Sequence, residues 1–342
     1  MIKKEEIFVN KSYWQNMSIN ELNEFANKIF LYYRENGFPY YPTDNDVRNN
    51  EFKKLLNFDY KTICDNNIIK QTMHGLGLAW SYFPHSFNVR CNNMMTPYEA
   101  FMDDDIFIKV IHKRLKMGTF ISDAGIWKML KIYTGVQSVS NFRPTAAAFI
   151  YNTFANNGIV WDMSGGWGGR LLGAIIGNVK TYITTEPSTL TYNGLVELAN
   201  DFHGKMNYEI LKIGSEDYKP DKNSLDLCFT SPPYFDLEKY SDENTQSYIK
   251  FKTKSEWIDG FLQKTFENCY YGLKPNKYML INIADAKGNN NINLEEETIR
   301  IATNCGFKYI STLDLALSNI NLRNKTNKFK YEPIFIFKKW KY

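Results

Sequence analysis

The run Ile159-Val160-Trp161-Asp162-Met163-Ser164-Gly165-Gly166-Trp167-Gly168-Gly169-Arg170 decides the fold. A short apolar stretch ends in an acid, passes through a glycine-rich turn and enters the apolar helix-like segment LLGAII. That is a strand, a tight turn and a helix. Glycines there let the backbone turn sharply and lie close to a ligand at the carboxyl edge of a parallel sheet. A dinucleotide fingerprint needs Gly-x-Gly-x-x-Gly, but counting from Gly166 and Gly168 the third position is Leu171, so that match fails. Asp162 would repel a pyrophosphate and is suited instead to a cation such as the ammonium of an amino acid.

Downstream of the turn, the next apolar run ends at Glu186, twenty residues after Gly166. A carboxylate at that position can accept from both hydroxyls of a ribose. After the following run comes Gly214-Ser215-Glu216-Asp217, where an acid can accept from the amino group of adenine. With Ser164, Gly166 and Gly168 in the turn itself, these positions predict a site for an adenosyl group that lacks phosphates and carries a methionine-like end. A doubly wound domain with a glycine-lined turn and ordinary surface acids is the structural alternative.

Alternating apolar runs and helical patterns fill the chain from about residue 157 onward. Strands are expected at 159–163, 180–186, 208–214, 225–230, 277–284, 307–314 and 331–338, with helices clearest at 255–272 and 293–304. The loop 316–330 has no helical pattern, so the last strand should return antiparallel. The expected class is α/β, with a seven-stranded mixed sheet of Rossmann-like type. Residues 1–140 read as a mainly helical N-terminal domain, followed by a catalytic domain over 141–342. Ser18 with Glu21, and Thr96-Pro97-Tyr98-Glu99, mark helix starts in the first part. The stretch 73–95 reads as irregular or short-stranded.

The fourth expected strand, LDLCFT, runs into Ser231-Pro232-Pro233-Tyr234. Two prolines after a buried strand hold the chain extended and remove two N–H donors. What remains is an acceptor-rich corner made of the Ser231 hydroxyl and the Pro232 carbonyl. A base amino group is a double donor, and holding both N–H bonds turns its lone pair toward an electrophile. Tyr234 offers a ring for the base to stack on. The corner lies 69 residues after Asp162, at the end of the strand expected beside the first. A purely structural Pro-Pro turn is the alternative for the tetrapeptide alone.

In combination these residues resemble the amino-methyltransferases of DNA, which make N4-methylcytosine and N6-methyladenine. The resemblance covers roughly 141–340. It implies S-adenosylmethionine as cofactor, bound by the turn from Asp162 to Gly169, with catalysis on Ser231, Pro232, Pro233 and Tyr234. Phe142-Arg143-Pro144-Thr145 is similar to the family's segment at the methionine end of the cofactor, which implies Arg143 and Thr145 as contacts. Serine at the first tetrapeptide position is the form typical of N4-cytosine enzymes, and Asp or Asn that of N6-adenine enzymes, so cytosine N4 is the expected target. A duplex target would have to be flipped out of the stack. The family usually carries a target-recognition domain, but about 60 residues separate the two motifs here and all are needed for the sheet. Sequence recognition then falls to residues 1–140, to loops, or to a partner restriction or specificity subunit. Lys239 and Tyr240 after the tetrapeptide, and Arg323 and Lys325 in the late basic loop, are the candidate DNA contacts.

Composition limits the classes further. A net charge of +4 permits a nucleic-acid partner without requiring one. Aromatic residues make up 16% of the 342 residues, most of them expected in the core. Cys64, Cys91, Cys228, Cys269 and Cys305 form no CxxC pair, so no zinc site or disulfide framework is expected and a cytoplasmic setting fits. No apolar run has the length of a signal peptide or membrane span. His74, His85, Arg90 and His112-Lys113-Arg114 have neither metal-ligand nor triad spacing and are assigned no chemistry. Methylation of RNA or of a side-chain amide, and a non-catalytic nucleic-acid-binding module of the same fold, stay open on these residues.

Overall fold

The computed structural model describes residues 2–285, 293–317 and 330–340. Its strands are β1 (Cys64–Asp65), β2 (Ile68–Ile69), β3 (Arg90–Cys91), β4 (Ile159–Asp162), β5 (Thr181–Thr185), β6 (Asn207–Leu211), β7 (Leu225–Thr230), β8 (Glu238–Lys239), β9 (Leu273–Asn282), β10 (Lys308–Leu317) and β11 (Lys330–Lys338). Nine of them form one sheet in the order β1-β2-β10-β11-β9-β7-β4-β5-β6, and β3 pairs with β8 apart from it. The seven strands expected from the alternation are all present. The expected count of seven is corrected to nine by β1 and β2, which extend the sheet beside β10. Each of those two strands is two residues long, too short to show any period.

The pairs β4–β5, β4–β7, β5–β6 and β7–β9 are parallel, while β11 runs antiparallel to both β9 and β10. The strand order reverses between β4 and β7. β5 and β6 lie on one side of β4, and the later strands lie beyond β7. In open α/β sheets, such a reversal opens a crevice at the carboxyl ends of the two strands. Asp162 and Thr230 are those ends.

The strands in the middle of the sheet are covered on both faces, which is why LDLCFT reads as a nearly continuous apolar run. Leu227, Cys228 and Phe229 have no exposed surface, and neither do Val160 and Trp161 on β4. The helix Pro144–Phe154 packs against the helix Gly169–Ile176 so closely that a Cβ on Gly173 would lie 2.4 Å from that of Ala147. The expected helix 255–272 is one helical run, Lys254–Trp257 and Lys264–Gly272 joined by a π turn over Ile258–Gln263. β9 begins at Leu273 rather than 277 and ends at Asn282, with Asn276 left-handed and an irregular register beside Leu225.

Backbone contacts divide the chain into two units. One comprises Met1–Pro42, Pro84–Ser140 and Glu238–Tyr240; the other comprises Thr43–Phe83, Asn141–Leu237 and Ser241–Tyr342. A single cut at 140 would assign Thr43–Phe83, with β1 and β2, to the first unit, whereas their contacts group them with the sheet. The first unit is built on helices at Ile19–Asn36, Pro97–Met102, Asp104–Met117 and Asp123–Lys131. Ser18 and Thr96 form the expected capping boxes with Glu21 and Glu99. Its core is rich in aromatic side chains, with Phe101 and Phe107 only 4.5 Å apart between ring centres. Among the described residues, no helix is long and apolar enough to cross a membrane.

Candidate active site

Two loops at the carboxyl edge of the sheet carry the expected chemistry, and the structure places them side by side. The first follows β4. Gly166 and Gly168 have φ of +57° and +74°, a left-handed backbone that side chains rarely adopt. A Cβ on Gly168 would press on Leu198 and Phe83, and one on Gly169 would lie 1.9 Å from the Phe142 carbonyl oxygen. A Cβ on Gly166, by contrast, would meet only ordinary contacts, 3.5 Å from the Arg170 guanidinium and 3.6 Å from the Ser164 carbonyl oxygen.

Asp162 organises that turn. Its Oδ2 accepts from Arg170 Nε at 2.8 Å and from the Tyr182 hydroxyl at 2.7 Å. Its Oδ1 accepts from the Ser164 N–H at 3.2 Å and the Thr230 hydroxyl at 2.8 Å. The side chain has no exposed surface, and Arg170 is nearly as buried. The sequence reading sets Asp162 against the ligand's ammonium; in the structure, protein donors occupy both of its oxygens. Burial works against the Arg170 charge, but Asp162 and Tyr182 beside it hold the guanidinium above its ordinary pKa. Arg170 also donates to the Ser164 carbonyl, which closes the turn on itself.

β5 fastens the same turn from the side. The Thr184 and Thr185 hydroxyls donate to the carbonyls of Asp162 and Met163 at 3.0 and 2.9 Å, and the Gly165 N–H donates to the Thr185 carbonyl at 3.0 Å. Glu186 follows directly. It accepts from the Gly166 N–H at 3.0 Å and the Ser188 N–H at 2.9 Å. Burial pushes its carboxyl up to about 7, against the opposing pull of those two N–H groups. The charge of Glu186 is therefore costly in the free protein.

Behind the turn, the Asn141 side chain donates to the Trp167 carbonyl at 2.8 Å. Arg143 is held by the Gln71 side chain at 3.1–3.2 Å and by the Asn141 carbonyl at 3.0 Å. Thr145 is fully buried and shares a hydrogen bond with Thr72 at 2.8 Å. Both expected methionine-end residues thus anchor the segment 141–145 to the chain around 71–72. Sequence reasoning did not pair these two stretches, because 72 residues separate Gln71 from Arg143.

The corner after β7 is built differently. Thr230, the last residue of the strand, ties it to Asp162. Ser231 is half-buried, and its hydroxyl makes no hydrogen bond among the described residues. No N–H among them is directed at the Pro232 carbonyl. The Tyr234 hydroxyl accepts from the Ala284 N–H at 3.2 Å, beyond the end of β9. Phe235 has φ of +53°, a strained conformation for a bulky residue, and its ring packs 5.9 Å from that of Trp257. The core thus grips Phe235, while the half-buried Ser231 hydroxyl and the carbonyl of the buried Pro232 take no donor from the described residues.

The remaining expected residues divide three ways. Glu216 is buried and Asp217 exposed in the turn after β6, and the Lys250 ammonium bridges them, at 2.7 Å from Asp217. Glu216 Oε2 is buried without a partner. Lys239 and Tyr240 belong to the first unit, where β8 pairs with β3 and Tyr240 donates to Glu238. Arg323 and Lys325 lie outside the described residues. The five cysteines are free thiols, and no group of three or more metal-ligating side chains occurs among the described residues. Burial lowers His85 to about 4, and His74 stacks on Phe58 at 4.2 Å. The residues missed at the sequence level are Arg170, Tyr182 and Thr230. The one visible signal was an arginine at the mouth of an otherwise apolar helix.

Comparison with known proteins gives one family match. Residues 225–342 match the family model described as DNA methylase, of N6/N4 type. No curated protein matches the chain. Among solved structures, an S-adenosylmethionine-dependent methyltransferase from Methanosarcina mazei is 11% identical, covering 56% of this chain and 97% of its own, with a TM-score of 0.38. An S-adenosylmethionine-dependent O-methyltransferase from Thermotoga maritima is 12% identical over 60% of this chain and 68% of its own, with a TM-score of 0.40. A methyltransferase from Pyrococcus furiosus is 12% identical over 63% and 94%, with a TM-score of 0.39. Likenesses at that level assign no substrate and no residue roles. The chain is an α/β protein with a Rossmann-like mixed sheet, and its residues 225–342 match the DNA methylase family model.

Proposed function

We propose that the protein transfers a methyl group from S-adenosylmethionine to an exocyclic amino group of a DNA base, cytosine N4 in the first instance. The observation that carries this reading is the acceptor corner at Ser231 and Pro232, without donors among the described residues and hydrogen-bonded through Thr230 to the turn that would hold the cofactor. Two acceptors without donors among the described residues, beside a half-buried tyrosine ring, suit a planar NH2 group. The family match at 225–342, which includes this corner, supports a methyltransferase.

The residues around the turn fit the cofactor. Glu216 Oε2 is a buried acceptor that lacks a donor, as adenine's amino group would provide. Glu186 presents a carboxylate at the edge of the turn for the ribose hydroxyls, next to the left-handed Gly166. When bound, S-adenosylmethionine supplies an electrophilic methyl group. Ser231 Oγ and the Pro232 carbonyl accept the two N–H bonds of the target amine, which fixes the nitrogen and directs its lone pair. Tyr234 stacks on the base, its hydroxyl steadied by Ala284. Once methylated, the nitrogen is strongly acidic and gives its proton to water. Asp162 acts through the turn: it holds Arg170, Tyr182 and Thr230 in register and positions Ser164 and Gly166. A duplex base reaches the corner by leaving the stack. Target selection falls to the helical first unit, with Lys239 and Tyr240, to the loop bearing Arg323 and Lys325, or to a partner subunit.

The test is incubation of the protein with labelled S-adenosylmethionine and either DNA or RNA, followed by mass spectrometry of the nucleosides. N4-methylcytosine in DNA is the expected product. Label in N6-methyladenine alone would overturn the choice of base, and label in RNA alone the choice of polymer. Cofactor binding without label in either would favour a non-catalytic binding module.

A further inference from the structure

Among the described residues, eight non-glycine positions have a left-handed backbone. Seven are asparagines, whose short polar side chain tolerates that conformation, and the eighth is Phe235. It takes the first central position of the turn Tyr234-Phe235-Asp236-Leu237, which the Leu237 N–H closes by donating to the Tyr234 carbonyl at 3.1 Å. A positive φ at that position favours glycine or asparagine. A bulky residue persists there only when its surroundings over-determine it.

The surroundings form a socket. Phe235 is buried in one cluster with Trp257, Phe261 and Ile283, and Tyr234 packs against the same cluster. The Trp257 ring has no exposed surface, and its Nε1 donates to the Ser247 hydroxyl at 3.1 Å. Ser247 lies on a strap, residues 243–250, that is fastened at both ends. Glu243 accepts from the Thr189 N–H at 2.8 Å, and Lys250 bridges Glu216 and Asp217. Directly after Trp257 the helix passes into the π turn Ile258–Gln263, an irregularity found frequently at functional sites. Phe261 on that turn lies 5.2 Å from the Trp257 ring. Tyr234 is therefore held at two points: its carbonyl by the turn, and its hydroxyl by the Ala284 N–H.

We infer that Phe235 is a positioning residue for the Tyr234 ring. Seated against Trp257, its side chain holds the left-handed turn, and the turn sets the direction in which Tyr234 leaves the backbone. The inference rests on the proposed function, in which that ring stacks on the target base, and it adds a residue outside the tetrapeptide. Phe235 acts only through Tyr234. A ring fixed before the base arrives need not be ordered on binding.

Amide hydrogen exchange at Ala284, followed by NMR, reads the hold on Tyr234 without turnover, with Tyr234→Phe setting the rate that lacks the acceptor. Phe235→Ala loses the ring and still disfavours the left-handed backbone, so Ala284 should exchange about tenfold faster while Leu280 and Ile281 within β9 keep the parent's rates. Phe235→Gly also loses the ring but accepts the backbone, and should exchange only about threefold faster. Phe235→Leu keeps an apolar anchor and should stay near the parent. Glycine as damaging as alanine, or a rise shared by the β9 amides, would reduce Phe235 to core filling and overturn the inference. So would an unchanged rate in Phe235→Ala. Should Phe235→Ala fail to fold, equal rates in Phe235→Gly and Phe235→Leu would overturn it alone. In a single turnover, Phe235→Ala should slow methyl transfer about tenfold at unchanged S-adenosylhomocysteine affinity. Absence of transfer by the parent to either DNA or RNA would instead overturn the proposed function, with the Ala284 rates still deciding whether Phe235 holds Tyr234.

Discussion

The turn after β4 and the corner after β7 sit at neighbouring strand ends and solve opposite problems. In the turn, protein groups meet the polar needs of the central acid. Asp162 has no exposed surface and takes donors from its own turn, from the following helix, from β5 and from β7. In the corner, Ser231 is half-buried and its hydroxyl is unengaged, while the adjacent Phe235 is held in a strained backbone by a packed ring. A binding loop has to be rigid before the ligand arrives, whereas acceptors meant for a substrate amine must not be spent on the protein. On the proposed function the contrast divides labour: Asp162 builds, and Ser231 and Tyr234 act.

The largest test of that division is Asp162→Ala. It leaves the Arg170 guanidinium buried beside an unpaired Tyr182 hydroxyl, and removing one partner of a buried pair costs about 3–5 kcal/mol. Urea unfolding should show a loss of that size, with Asp162→Asn losing less. A loss under about 1 kcal/mol together with abolished cofactor binding would restore Asp162 as a direct ligand contact and end the contrast.

Tyr234→Ala should act in the other direction. Loss of the stacking ring should lower turnover about a hundredfold, equivalent to about 2.7 kcal/mol. Cofactor affinity and unfolding free energy should stay near those of the parent. Single-turnover kinetics with a titration of S-adenosylhomocysteine would distinguish the two effects. Equal losses of turnover and cofactor affinity would mean that the corner and the turn are one device. Ser231→Ala should lower turnover by about 2 kcal/mol, roughly thirtyfold, through the loss of one acceptor. Ser231→Asp, which restores an acceptor, should recover part of it. Unchanged turnover in Ser231→Ala would leave the Pro232 carbonyl as the working acceptor.

The corner was legible in the sequence because all of its parts are consecutive: a buried strand, two prolines, a hydroxyl and a ring. The seven main strands were legible because each is long enough to show alternation or a continuous apolar run. β1 and β2 were not, since two residues carry no period and their place depends on pairing with β10, more than 240 residues later. Asp162 was found but its protein partners were not, because Tyr182 and Thr230 come from strands 20 and 68 residues away. The strap over 243–250 was invisible for a related reason. A polar stretch such as ENTQSYIK reads as loop until its anchors are known.

Glu186 lies in the first region but shares the second's expected contact with a ligand, which makes its protonation the finest probe of the comparison. It lies in the rigid turn yet is expected to meet the ligand, and burial has raised its carboxyl to about 7. The sign follows from which form is favoured. A raised acid binds its proton more tightly folded than unfolded, so its contribution to stability declines as pH rises from about 4.5 to about 7 and is constant above. Ribose hydroxyls donate to the ionised carboxylate, so ligand binding favours the form that folding disfavours. The dissociation constant of S-adenosylhomocysteine should then rise about tenfold between pH 8 and pH 6, with proton release on binding at the lower pH. Glu186→Gln should abolish both the slope and the proton release, and should be more stable than the parent at pH 8 but not at pH 5. A flat affinity profile in the parent protein, with the stability profile as described, would show that Glu186 completes the turn in the manner of Asp162 and that the ribose is held elsewhere.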